Sequence, residues 1–167
     1  LGAGGAEDVL WEDESASPGQ LYWYWVRASN DTSQGLGDWG TPDHGYRKLA
    51  IVDNVNATSN TYDSMVQVTW ADGEGETGYT IWRNTANNSG SATNIATVTA
   101  EIVSYDDTDA TTSVSYWYWV RATNETSGGQ SDFQATGAYG RRIQTPPVVV
   151  TLGISNNVAG SALGGGN

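Results

Sequence analysis

The chain has 167 residues, enough for one or two small domains, and no cysteine, so packing alone must hold it together. Its formal charge is −12 with only seven Lys plus Arg, which argues against a nucleic-acid partner, since that needs a basic patch. No window holds the roughly 18 apolar residues of a membrane-spanning helix.

Tryptophan and tyrosine dominate the large side chains, against a single Phe and a single Met, and glycine is abundant. That mixture favours short strands joined by many turns. The chain opens at Leu1 inside a Gly/Ala stretch, with neither an initiator Met nor a visible signal peptide. It reads as a processed product or a fragment of something longer.

An internal repeat sets the organisation. Residues 11–39 match residues 105–133 at an offset of 94, around a shared Tyr-Trp-Tyr-Trp-Val-Arg-Ala at 22–28 and 116–122. A period of that length is too long for a solenoid unit and suits one sandwich domain plus its junction. Residues 1–47 are then the C-terminal half of one copy, residues 48–142 a complete copy, and residues 143–167 a tail. The tail opens with Thr145-Pro146-Pro147 and the β-branched run Val148-Val149-Val150-Thr151, which reads as a strand-like tail or as the first strand of a further repeat, and ends in a flexible Gly-rich stretch.

In chain order, the complete copy predicts seven strands, at 51–58, 64–70, 77–83, 93–98, 101–105, 115–124 and 133–139. Period-two alternation points Val66, Val68 and Trp70 inward, then Tyr79 and Ile81, then Tyr116, Tyr118, Val120 and Ala122. The sixth strand, Tyr116-x-Tyr118-x-Val120-x-Ala122, resembles the fibronectin type III pattern. Its first copy, Tyr22-x-Tyr24-x-Val26-x-Ala28, fits better still because it retains Pro18-Gly19 before it. Val68-x-Trp70, Tyr79-x-Ile81-x-Arg83 and Tyr105-Asp106-Asp107-Thr108 look like the second, third and fifth strands of that family. The resemblance implies an all-β, immunoglobulin-like sandwich. It also implies that Tyr22 and Tyr116 are tyrosine corners, each hydroxyl bonded to a nearby backbone group.

The same alternation sends Trp117, Trp119 and Arg121 outward, together with Trp82 on the neighbouring third strand. The first copy repeats this with Trp23, Trp25 and Arg27. Two readings compete: an exposed contact surface of aromatic and arginine anchors, or aromatics that shield the sheet beneath a loop or linker.

Nothing reads as an enzyme. The single histidine, His44, sits in a Pro-Asp-His-Gly turn, and the carboxylates cluster in turns rather than facing across a cleft. Asp106, Asp107 and Asp109 form a weak Ca²⁺ candidate, as do Glu12, Asp13 and Glu14, without the spacing of a defined calcium loop. A solvated acidic turn is the default, so no cofactor is expected. Sequons place candidate N-glycosylation at Asn30, Asn56, Asn87 and Asn124.

Two functions follow. One is a structural repeat building a stalk, fibre or filament on a cell or virion surface, with copies of itself or neighbouring repeats as partners. The other is an adhesion module binding glycan or protein through the tryptophan ladders. The half-copy cannot cover its own sheet, so the expectation is that other material completes it. Two donors are conceivable: upstream sequence, if the chain is a cut fragment, or residues 147–155 of a neighbouring subunit.

Overall fold

The structure, a computed structural model, describes residues 10–144. The strand expected at 148–151 therefore lies outside the described residues. The first copy contributes β1 (Leu21–Tyr24), β2 (Ser29–Asn30), β3 (Gly35–Leu36) and β4 (Asp43–Tyr46). β1 pairs antiparallel with β4, and β2 with β3.

The second copy contributes β5 (Asn56–Ala57), β6 (Val66–Thr69), β7 (Gly78–Asn84), β8 (Thr93–Thr99), β9 (Ser104–Asp107), β10 (Ser115–Asn124), β11 (Gly129–Gln130) and β12 (Ala138–Arg141). One sheet runs β5-β6-β9; the other runs β11-β10-β7-β8, with β12 also paired to β10. The two sheets face each other in an all-β, fibronectin type III-like sandwich.

Alternation explains which side chains meet inside. Val66 and Val68 of one sheet, and Tyr79, Ile81, Tyr118 and Val120 of the other, are fully buried between the layers. Two inward tyrosines place hydroxyls at the core's margin. The Tyr79 hydroxyl donates to Asp72 Oδ1 at 2.8 Å and accepts from Gly73 N–H at 2.7 Å, fixing the β6–β7 turn.

Strand limits differ from the sequence reading where local chemistry intervenes. The first expected strand, 51–58, forms a ladder only at β5. Leu49 and Val52 plug the core instead, and Asn54 turns the chain with a left-handed φ of 54°. The fifth begins three residues late because Glu101, at φ 68°, belongs to a turn. The last begins at Ala138, since Phe133 folds back over the sheet rather than extending.

The sheets are joined by a buried ion pair. Asp107, at the end of β9, is 1% exposed. Arg83 of β7 donates from Nη1 to both its oxygens, at 2.9 and 2.7 Å, and the Tyr118 hydroxyl of β10 donates to Oδ2 at 2.8 Å. The Asp109 N–H adds a bond to Oδ1 at 3.2 Å, and the guanidinium lies 4.6 Å from the Tyr116 ring centroid. A carboxylate this far from water is tolerated only because every partner is present. Replacing Arg83→Met should therefore cost about 3–5 kcal/mol in denaturant unfolding, while the double change Arg83→Met with Asp107→Leu should recover much of it.

Candidate binding surface

The outward aromatics of the two copies share a sequence but not an environment. In the second copy, Trp119 lies opposite Trp82 across β10 and β7 and is only 1% exposed. The segment after β11 covers it: a Cβ on Gly137 would lie 2.7 Å from Trp119 Cζ2. The Gly137 N–H is held by Asn87 Oδ1 at 3.0 Å. Trp119 is thus corrected from a contact residue to a packed one, because a loop lies over this part of the sheet.

Its neighbours are partly covered by the same device. Phe133 meets Trp82 edge-on at 5.5 Å, and Tyr139 meets Trp117 edge-on at 5.4 Å. Arg121 donates from Nε to Ser131 O at 2.8 Å and lies 4.6 Å from the Phe133 centroid. The shield therefore consists of Phe133, Tyr139 and Gly137.

In the first copy, Trp23 and Trp25 are 54% and 52% exposed, and Trp11 and Trp39 are about equally open. Trp23 packs on His44 at 5.0 Å, and Arg27 stacks 4.4 Å from the Trp39 ring. Trp11 meets Tyr24 edge-on at 6.3 Å on the opposite side of the strand. The result is an aromatic surface with an arginine and a histidine at its margins. Trp11 and Trp39 were not singled out in the sequence, although both sit at the ends of the repeated segment. Trp39 occupies the place of Phe133, so the arginine–aromatic stack itself repeats at an offset of 94.

The two tyrosines at the strand starts occupy matching positions. Tyr116 OH accepts from Thr111 N–H at 3.4 Å, and Tyr22 OH from Ser17 N–H at 3.2 Å. Of the acidic candidates, Asp107 is taken up inside the sandwich by Arg83 and Tyr118, while Asp106 receives Gln67 Nε2 at 3.1 Å. Among the described residues no three His, Cys, Asp or Glu side chains are grouped to hold a metal. Burial in the ion pair with Arg83 takes Asp107, the central carboxylate of the 106–109 cluster, out of reach of a solvent cation.

The sequon asparagines differ in the freedom of the acceptor nitrogen. Asn124 commits Nδ2 to Gly75 O at 2.6 Å, and Asn56 commits its own to Asn54 O at 2.8 Å. Asn30 and Asn87 use only the carbonyl oxygen, accepting from Ser33 N–H at 2.8 Å and Gly137 N–H at 3.0 Å.

No family model matches the chain, and no curated protein matches it. Solved structures with a similar fold include an Fn3-like protein from Clostridium thermocellum, at 24% identity and TM-score 0.48, covering 59% of this chain and 98% of that one. The fn3 domain of the human collagen alpha-1(XX) chain matches at 21% identity and TM-score 0.48, covering 62% and 95%. Chicken CNTN1 FN1-FN3 domains match at 22% identity and TM-score 0.47, over 78% of this chain and 46% of that one. By its own sheet order and register the chain carries a fibronectin type III-like sandwich.

Identical residues in unlike surroundings should answer mutation unequally. Trp119→Ala should cost about 3–5 kcal/mol, as for a buried aromatic, whereas Trp25→Ala should stay within about 0.5 kcal/mol in chemical denaturation.

The core tyrosines add a pH dependence. Burial foremost, then the Asp107 charge and hydrogen bond, pushes the Tyr118 phenol well above its ordinary range. Burial and Asp72 do the same for Tyr79. The folded state thus keeps protons that the unfolded chain releases near pH ~10, so their stabilisation is full below that pH and drains away above it. Urea unfolding above pH ~10 should show stability falling with pH, and Tyr118→Phe should flatten that slope by up to about 1.4 kcal/mol per pH unit.

Proposed function

We propose that the chain is a non-catalytic adhesion module of an extracellular or surface protein, and that the outward aromatic face of its first copy is the contact surface. The observation that carries this reading is the exposure of Trp23, Trp25 and Trp39 beside Arg27, where the second copy packs its own aromatics away. Contiguous exposed tryptophan is uncommon on a monomer surface, and Trp with Arg is the composition of interface anchors. Rings of this kind also stack on sugars. A surface glycan or a protein of the same surface is the class of ligand they suit.

A second reading, as a repeat unit in a rod or stalk, draws support from the junction between copies. Gly19, at φ 70°, and Gly75, at φ 80°, press backbone to backbone, so closely that a Cβ on either would clash with the other turn. A Cβ on Gly129 of the second copy would likewise lie 2.6 Å from Tyr46 Cε2 of the first. Contacts of this kind favour a fixed angle between successive repeats over a free hinge.

The adhesion reading is checked by retention of the full chain on insoluble polysaccharides and on immobilised surface proteins. Trp23→Ala with Trp25→Thr should abolish retention while the thermal transition of the sandwich stays in place. Equal retention by the wild-type chain and this variant would remove the aromatic face from the mechanism.

A further inference from the structure

The two copies meet through a short joint. β4 ends at Tyr46, and Leu49 already plugs the core of the second copy. Only Arg47 and Lys48 lie between them, so Tyr46 and Leu49 are at most about 10 Å apart. Turns of both copies are thereby pressed together. Pro18-Gly19, just before β1, lies on the turn between β6 and β7 that contains Gly75. A Cβ on Gly19 would run into Gly75 O, and would lie 2.9 Å from Asn124 Nδ2 and 3.0 Å from Leu49 Cδ2. A Cβ on Gly75 would run into Pro18 O. Within the second copy, Asn124 Nδ2 donates to Gly75 O at 2.6 Å and holds that turn in place. Tyr46 of the first copy rests on Gly129 of the second.

The internal repeat shows what the glycine at 19 is for. At an offset of 94, Pro18 and Gly19 become Thr112 and Ser113. Gly19 has a φ of 70° and Ser113 a φ of 65°. The same turn is thus built in both copies, once without a side chain and once with one. Its left-handed backbone accepts a Cβ at a modest cost, so conformation is not what demands glycine at 19. The demand comes from the Gly75 carbonyl across the joint. The adjoining strand differs in the same sense: Tyr46 stands opposite Leu21, whereas Arg141 stands opposite Ser115. The second copy therefore lacks both the Pro-Gly turn and the aromatic ring with which the first one docks.

We propose that the surface formed by Gly75, Asn124 and Gly129 is a docking site that selects the repeat seated on it: it admits a Pro-Gly turn and rejects a Thr-Ser turn. Its occupant is the first copy. A repeat with the turn of the second copy cannot take that place. Its serine Cβ would meet the Gly75 carbonyl, and backbone, not a flexible side chain, would have to yield. The two copies are consequently not interchangeable in order, although their signature strands are nearly identical. The proposal rests on the fixed joint of the repeat-unit reading and adds what decides which repeats form it.

The chain has no cysteine, so two can be introduced for spin labels without competition. Asp43→Cys in β4 and Thr93→Cys in β8, both exposed positions, report the distance between copies in the full chain by double electron–electron resonance. The parent pair should give one narrow distribution. Gly19→Ser, the residue that the second copy itself uses, should broaden it at least about twofold as the copies part and move independently. The thermal transition of the sandwich should stay in place. Gly19→Ala should act in the same direction with a smaller side chain. Ser113→Gly, the converse change in the equivalent turn, should leave the distribution narrow. A distribution unchanged by both Gly19 variants overturns the selection. Broadening by Ser113→Gly as well would put the effect in turn flexibility instead of the contact, and overturns it too. A broad distribution in the parent removes the fixed joint itself, and the repeat-unit reading with it.

Discussion

Enclosing a carboxylate between two sheets costs several kcal/mol unless a cation and donors replace the water it loses. Here the three components come from three strands: the acid from β9, the cation from β7 and the hydroxyl from β10. β9 belongs to one sheet and the other two to its partner. The cluster therefore ties the layers together at a defined register in a chain with no disulfide to do so. A slip of either sheet by one residue would turn Arg83 or Tyr118 to the wrong face and strand the acid. Apolar pairs such as Val68 with Ile81 tolerate small shifts; the ion pair does not. The Tyr116 ring beneath the guanidinium extends the same constraint to the strand start, where the Thr111 N–H meets its hydroxyl.

The heptapeptide shared by the two copies shows how far surroundings decide what a residue does. Trp119 and Trp25 have the same neighbours in sequence, but one has a pairing strand and a loop above it and the other has neither. Along the strand, the same absence turns core residues into surface. This is why the first copy presents aromatics on both faces, Trp23 and Trp25 on one and Trp11 beside Tyr24 on the other.

Much of the fold was legible because it is carried by alternation and by an internal repeat. Val66, Val68, Tyr79, Ile81, Tyr118 and Val120 all lie where a period of two puts them. Strand ends were less legible, since they depend on single backbone conformations such as those of Asn54 and Glu101, whose side chains do not demand a left-handed φ. Periodicity assigns a face but does not say whether anything covers it, so it could not separate Trp119 from Trp25. The cover comes from Phe133 and Gly137, in a stretch that reads as a strand until its turn is seen. Likewise the acidic run at 106–109 looked like a solvated turn with weak metal character. Only the register of β7 against β10 brings Arg83 to Asp107.

Repeating a strand within one chain also shapes how the chain reaches its structure. β1 and β10 have nearly the same sequence, and each takes an antiparallel partner in the same manner: Tyr22 faces Gly45 as Tyr116 faces Gly140. β4 and β12 are consequently near-interchangeable partners. A refolding chain has a native pairing and a crossed one that satisfy the same ladder, and adjacent similar repeats are known to misassemble in this way. What separates the two is the remainder of each copy: β10 has β7 and Arg83 to reward the correct assembly, while β1 has no such judge within the described residues. Kinetic traps should thus concentrate on the first copy, where less surrounds the strand to enforce the native choice.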